Sequence, residues 1–342
     1  MPPALRAGIY GCGNIARNTH IPHLGKIDGV SVVAVTDPSD EARTTALEKA
    51  GLDASAGYAD AHDMLEKESL DVLFSCVPAM FRTDVEVKAV ESGIHLFSEK
   101  PQAVTVATAK AISAAIRKGG VLSTVGFRER YRPMFHKIRA FLADKDVIHA
   151  TCTVARTRFW KNEKNWLYDE DRSGGFALEW GCHAVDYNRF MTGLDIDRAQ
   201  AFYCRPAHHD ESLAASFNFR FTNGATFALT LATLAAEKGI GSGRRNSPVF
   251  TILYEGGRLD VFRESPYSWS CEIDGETFID REEFDPWMEQ DRMFIEAIHK
   301  GSEAGMHNDY HDGLNTLGPL LAGWESSKND GAPINVAGFL VS

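Results

Sequence analysis

Leu5-Arg6-Ala7-Gly8-Ile9-Tyr10-Gly11-Cys12-Gly13-Asn14-Ile15-Ala16 decides the fold of this chain. A strand-like run from Leu5 to Tyr10 ends in G-x-G-x-x-A at Gly11, Gly13 and Ala16. Each small residue answers a physical demand. Gly11 permits the tight turn from strand into helix, Gly13 lets backbone approach a pyrophosphate, and Ala16 lets the helix lie close on the sheet. The helix start then offers unpaired N–H groups and its positive dipole end to an anion.

Working outward, the next β-branched run, Val30–Thr36, ends in Asp37, 21 residues after Ala16. A carboxylate there accepts hydrogen bonds from the adenosine ribose hydroxyls and repels a 2′-phosphate, so the spacing predicts NAD, with NADP disfavoured. Arg43 lies downstream and softens that preference. Further runs at Asp71–Val77, Ile94–Ser98 and Val121–Val125 read as strands, with helices at Arg82–Ser92 and Val104–Lys118 between them. This β-α-β-α order predicts a doubly wound parallel sheet, a Rossmann domain over residues 1–126.

After Gly126 the texture changes. A helix is expected at Pro133–Ala143, a long strand at Val147–Trp160, and a helix at Ser173–Gly193 entered through Gly174-Gly175. Phe217, Phe219 and Phe221 then alternate along one strand, as do Phe227, Leu229 and Leu231 along the next. Turn signals at Asn223-Gly224, Gly256-Gly257 and Asp274-Gly275 suggest a meander, and helical periodicity returns at Pro286–Lys300 and Asp309–Lys328. The expected architecture is α/β: the Rossmann domain, then an α+β domain over 127–342 with a large, mostly antiparallel open sheet for substrate binding and oligomerisation.

The residue balance narrows the partners. With 36 basic and 47 acidic residues the net charge is −11, which disfavours nucleic acid and anionic membranes through long-range repulsion. No apolar run is long enough for a membrane span. The first strand begins too near Met1 for a signal peptide, so a cytoplasmic location is expected. Cys12, Cys76, Cys152, Cys182, Cys204 and Cys271 are scattered without a C-x-x-C pair and read as buried reduced thiols. His208-His209-Asp210 has no partners at ligand spacing and reads as a solvated loop, so no metal site is expected.

Ser98-Glu99-Lys100-Pro101 closes the fourth strand. Ligands of a doubly wound sheet gather at the carboxyl ends of its strands, which places Lys100 toward the nicotinamide end, able to hold a reacting hydroxyl and stabilise charge developing on it. Gly11, Gly13, Asn14, Ile15, Ala16 and Asp37 are the expected cofactor contacts, completed by Pro78, Glu99 and Lys100. On the helix entered through Gly174-Gly175, Glu179, His183 and Asp186 stand at i, i+4 and i+7 and share a face. A carboxylate one turn before an imidazole can orient it for proton transfer. Gly181 and Cys182 leave room for a ligand to lie close, and Asp186 reads as a structural hydrogen-bonding residue.

Taken together, the G-x-G-x-x-A loop, the E-K-P triplet about 85 residues later, Val125-Gly126-Phe127 with Arg130-Tyr131 and Pro133, and the segments Asp291–Ile298 and Asp309–Leu314 resemble the glucose–fructose oxidoreductase and inositol dehydrogenase (Gfo/Idh/MocA) superfamily. The likeness spans the chain. It implies hydride transfer between NAD and a secondary alcohol of a sugar, cyclitol or related polyol. His183 is the implied general acid/base, with Glu179 and the E-K-P lysine, Lys100, assisting. Two departures stand out: Glu179 where Asp is usual, and Arg82 where His is frequent. The resemblance leaves two rivals open, an NAD-dependent redox-elimination glycosidase and a non-catalytic dinucleotide-sensing regulator.

For the substrate, Arg156, Arg158, Trp160 and Trp166, with Lys161 and Lys164, suit a sugar or anionic sugar derivative. A strand face with snorkelling arginines fits them equally. Gly239–Asn246 reads as a loop, and the second face of the meander as the interface of a homodimer or homotetramer.

Overall fold

The computed structural model describes residues 3–157, 166–234 and 248–341. The chain divides into two compact units, the first comprising Met1–Arg128 and Pro286–Leu314, the second Glu129–Asp285 and Asn315–Ser342. The sequence reading ends the first domain at residue 126 and assigns everything later to the second. The structure instead returns Pro286–Leu314 to the first unit. The reason is packing: Phe294, Ile295 and Ile298, on one face of the helix Pro286–Lys300, join the core built by Ile9, Ala16, Phe74 and Phe97.

The first unit holds a six-stranded parallel sheet in the order β3-β2-β1-β4-β5-β6. Its strands are β1 Leu5–Tyr10, β2 Val30–Thr36, β3 Gly57–Tyr58, β4 Val72–Ser75, β5 His95–Ser98 and β6 Ser123–Val125. The order reverses direction at β1, so the carboxyl ends of β1, β2 and β4 meet where such sheets bind ligands. Local chemistry sets the helices between them. Asp84–Glu91 opens with a capping box in which Thr83 and Glu86 satisfy each other's backbone amides. Val106–Gly119 is capped by Thr105 and stops at left-handed Gly120.

The second unit carries nine strands ordered β14-β13-β12-β11-β7-β10-β9-β8-β15. These are β7 Val147–Thr157, β8 Ile196–Cys204, β9 Ala214–Phe221, β10 Thr226–Leu234, β11 Phe250–Tyr254, β12 Gly257–Arg263, β13 Ser268–Ile273, β14 Glu276–Glu283 and β15 Ile334–Asn335. Every pairing is antiparallel except β7 with β10. The alternation read from the sequence sets which face is buried. Phe217, Phe219, Phe221, Phe227, Leu229 and Leu231 are all buried, beneath the helix Gly175–Thr192 and the part of Gly313–Lys328 that carries Leu320 and Gly323. The Asp274-Gly275 turn has positive φ at both residues, which lets β13 fold back into β14.

All six cysteines are free thiols; five are buried and Cys204 is exposed. Among the described residues no group of side chains could hold a metal ion, and no helix is long and apolar enough to cross a membrane.

Candidate active site

At the carboxyl end of β1 the loop takes the shape its glycines predict. Gly11 has φ +92°, and a Cβ there would lie 2.7 Å from Val77 Cγ1 and 2.9 Å from the Val77 amide, so the β1 and β4 ends close on each other only through glycine. Gly13 differs: a Cβ there would meet nothing within 4 Å. No protein atom demands glycine at this position, and the cleared space suits a close-lying pyrophosphate. Helical structure follows directly from Asn14, with a wide-turned stretch Ala16–His20 continuing into Ile21–Leu24, and the residue before it, Gly13, has no side chain with which to cap its start.

Asp37 ties the second strand end to this loop. Its Oδ2 accepts from the Cys12 amide at 2.8 Å and its Oδ1 from the Ser39 amide at 2.9 Å. A carboxylate offers about four acceptor positions, so the group is held in place with capacity left for ribose hydroxyls. Burial and the neighbouring Asp37 charge push the Cys12 thiol up to about 12, which leaves it a neutral packing group. Arg43 is engaged elsewhere, donating to the Asp37 carbonyl at 2.7 Å and to Asp40. Asn14 is exposed beside the loop and accepts from Asn18 at 2.6 Å. Pro78 follows Val77, half-buried, at the β4 end. These features fit a dinucleotide: a glycine cradle, an oriented ribose acid and an uncapped helix start.

Lys100, half-buried, stands two residues past the end of β5. Glu99 before it, expected among the cofactor contacts, turns inward. Its Oε2 accepts from the Lys100 amide at 2.9 Å and its Oε1 lies 3.2 Å from His20 Nε2. Buried Arg82 also faces inward, donating to the Val77 carbonyl at 3.0 Å and to the Ser98 hydroxyl, so it braces the β4 and β5 ends.

In the second unit the helix Gly175–Thr192 presents Glu179, half-buried, and His183, buried with its ring 6.1 Å from Trp180 and 5.6 Å from Tyr187. Asp186 is fully buried. It takes a forked pair of hydrogen bonds from Arg130 (2.7 Å from Nη2, 3.0 Å from Nε) and one from Thr316 at 3.1 Å. That is the structural role read for it. The reading of Gly181 and Cys182 as room for a ligand is corrected. A Cβ on Gly181 would lie 2.8 Å from Leu320 Cδ2, and Cys182 is buried, so both are small because the core packs on them.

Of the expected substrate residues, Trp166 is partly exposed at the short turn Trp166–Tyr168. The Arg156 backbone continues β7, while its side chain and all of Arg158, Trp160, Lys161, Lys164 and Gly239–Asn246 lie outside the described residues.

Comparison with known proteins agrees with this geometry. Residues 5–127 match the family model described as oxidoreductase family, NAD-binding Rossmann fold, and residues 135–260 match the GFO/IDH/MocA C-terminal domain. This chain belongs to the GFO/IDH/MocA oxidoreductase family. Among its relatives are a myo-inositol 2-dehydrogenase of Thermotoga maritima, 23% identical over 58% of each chain, and a D-apiose dehydrogenase of Paraburkholderia graminis, 30% identical over 57% of this chain and 52% of the other. The matches thus span little more than half the length of these relatives. The fold is shared with an aldose-aldose oxidoreductase of Caulobacter crescentus solved with glycerol, at TM-score 0.82, 19% identity, and coverage of 97% of this chain and 99% of that one.

Within this GFO/IDH/MocA chain, sequence reasoning missed two residues linked to Lys100 through Glu99. His20 Nδ1 lies 3.0 Å from both carboxylate oxygens of Asp291, and its ring packs edge-on to Phe97 at 4.9 Å. Burial alone would push the imidazole down, but the Asp291 charge and hydrogen bond, with Glu99 adding, outweigh it and lift His20 to about 10. The same contact, with Lys100 assisting, holds the Glu99 carboxyl below the usual carboxylate range despite its burial. Nothing local in the sequence marks His20, whose partners lie 271 and 79 residues away.

Proposed function

We propose that this protein is a cytoplasmic NAD-dependent dehydrogenase acting on a secondary alcohol of a sugar, cyclitol or related polyol. The observation that carries the reading is the loop at β1, where Gly13 leaves open space while Asp37 is locked onto the Cys12 amide. Asn14 and Ile15 would line the pyrophosphate, Ala16, buried in the core, lets the helix lie close on the sheet, and Asp37 would hold the adenosine ribose and disfavour a 2′-phosphate. Arg43, committed to the Asp37 carbonyl and Asp40, supports NAD over NADP. Pro78 and Lys100 would approach the nicotinamide portion. When bound, the nicotinamide supplies the hydride acceptor.

The remaining chemistry falls to side chains. Lys100 would donate a hydrogen bond to the reacting oxygen and stabilise the charge that grows on it. His183 would take the hydroxyl proton, and Glu179 would orient imidazole or substrate. Glutamate in place of the usual aspartate keeps the charge and reaches one methylene further. The inositol and apiose dehydrogenases among the relatives support a polyol substrate.

The test is NADH formation at 340 nm across sugars, cyclitols and polyols. One compound should give turnover, and Lys100→Ala and His183→Ala should each lower kcat by at least about a hundredfold. Wild-type turnover in both variants would sink the assignment. Hydrolysis of glycosides with no net NADH would point instead to the redox-neutral glycosidase. We also propose a homodimer or homotetramer, supported by exposed Ile148 and Phe202 on β7 and β8. A light-scattering mass equal to one 37.7 kDa chain would refute that.

A further inference from the structure

We infer that His20 and Asp291 are positioning residues for Lys100, acting through the Glu99 carboxylate. The inference rests on the reading of Lys100 as the group that binds the reacting hydroxyl.

The main chain is pinned first. Where β5 ends, the Glu99 amide donates to the Ser75 carbonyl and the Gly126 amide to the Ser98 carbonyl, both at 2.9 Å. The Glu99 side chain then folds back beneath the strand ends, into a space that exists because residue 126 is glycine. A Cβ there would lie 2.8 Å from Glu99 Oε1. One carboxylate oxygen accepts the Lys100 amide and the other faces His20 Nε2.

The ring has carboxylates at both nitrogens. Ionised carboxylates only accept, so Nε2 and Nδ1 must both donate, and the ring is an imidazolium fixed in one orientation. Phe97 and Phe74, with centroids 4.9 and 5.5 Å away, wall it in. The result is a buried row of alternating charge, Asp291 negative, His20 positive and Glu99 negative, which ends on the backbone amide of half-buried Lys100. Among the described residues, His23, with Nδ1 3.4 Å from Asp291, and Cys76, whose thiol is held well above its ordinary value by burial and by the Glu99 charge, also stand against this row. Arg82, one strand end away, bears on Cys76 as well.

A tie that merely fastened the helix Pro286–Lys300 to the core would affect stability alone. A positioning role reaches Lys100 too. Losing the His20 charge leaves Glu99 with one partner fewer, and the Lys100 amide loses its fixed acceptor. Misplacement of a reacting group by about 1 Å costs on the order of a hundredfold in rate.

The experiment uses the full chain in three arms. In 15N-histidine NMR, His20 should remain an imidazolium from about pH 6 to about pH 9, whereas titration near the ordinary value of about 6.5 overturns the inference. In His20→Gln and Asp291→Asn, KM and the NAD dissociation constant (from thermal shift) should stay within about threefold, while kcat falls about ten- to a hundredfold. Wild-type kcat overturns it, as does a kcat loss matched by the loss of folded protein. The third arm needs no turnover: site-resolved acylation of Lys100, read by mass spectrometry, should change several-fold in rate in Asp291→Asn, an isosteric change chosen to preserve the fold. An unchanged rate overturns the inference. Should the wild type turn over no sugar or polyol, the dehydrogenase reading falls, while the NMR and acylation arms still decide the positioning.

Discussion

Each unit buries a fully enclosed carboxylate linked to a candidate catalytic residue, through a row of contacts in the first and along one helix in the second, and the two are paired differently. In the first unit Asp291 faces His20, which leads through Glu99 to Lys100. In the second, Asp186 faces the Arg130 fork and Thr316, three residues along the helix from His183. A guanidinium stays charged at any pH a protein survives, so the Asp186 pair is a permanent clamp. An imidazolium can lose its proton, so the Asp291 pair is conditional. The comparison shows how one device, a buried ion pair, serves as fixed scaffold in one place and as a tunable support in another.

The largest effect expected from breaking this contrast is at the clamp. Asp186→Ala leaves Arg130 charged and buried without its carboxylate, and should cost the second unit about 3–5 kcal/mol in denaturant unfolding. A loss under about 1 kcal/mol would show that Arg130 finds another partner and the clamp is not one.

Next comes pH. The folded value of His20, about 10, lies above its unfolded value of about 6.5. Its stabilisation is therefore complete below pH ~6.5 and drains away as the pH rises toward 10. The unfolding transition of the first unit should move to lower temperature between about pH 7 and about pH 10, and Asp291→Asn should flatten that slope. The second unit's clamp should show no such slope. Equal alkaline sensitivity in both units would erase the distinction.

The smallest effect sharpens it. Thr316→Val removes a neutral donor to Asp186 while leaving the Arg130 fork, and should cost about 1 kcal/mol. A cost near that of Asp186→Ala would mean that the hydroxyl, and not the fork, holds the carboxylate.

What could be read in the sequence follows from the range of the forces involved. β1, β2 and the helix Pro286–Lys300 come out with the bounds their periodicity predicts, because local pattern governs them. Gly11 and Asp37 were legible because a turn and a strand end fix them within one βαβ unit. Asp186 was read as structural, and the structure supplies its partners. The failures share one cause. Gly181 looked like space for a ligand, but its neighbours are Leu231 and Leu320, far along the chain. Pro286–Lys300 announced itself as a helix, yet no local signal says which core its apolar face joins. His20 was invisible for the same reason, since its meaning lies in Asp291 and Glu99.

The return of Pro286–Leu314 to the first unit also bears on how the chain is made. A ribosome delivers Gly11, Asp37 and Lys100 early, but Asp291, Phe294 and Ile298 arrive only after the whole β-rich stretch has been synthesised. At about 5–20 residues per second, the nascent nucleotide domain waits on the order of ten to forty seconds for the helix that completes its core. Through that interval His20 sits without the Asp291 carboxylate, and the first unit receives its last segment only shortly before Asn315–Ser342 completes the second. The part of this protein that is easiest to recognise thus starts first and matures late.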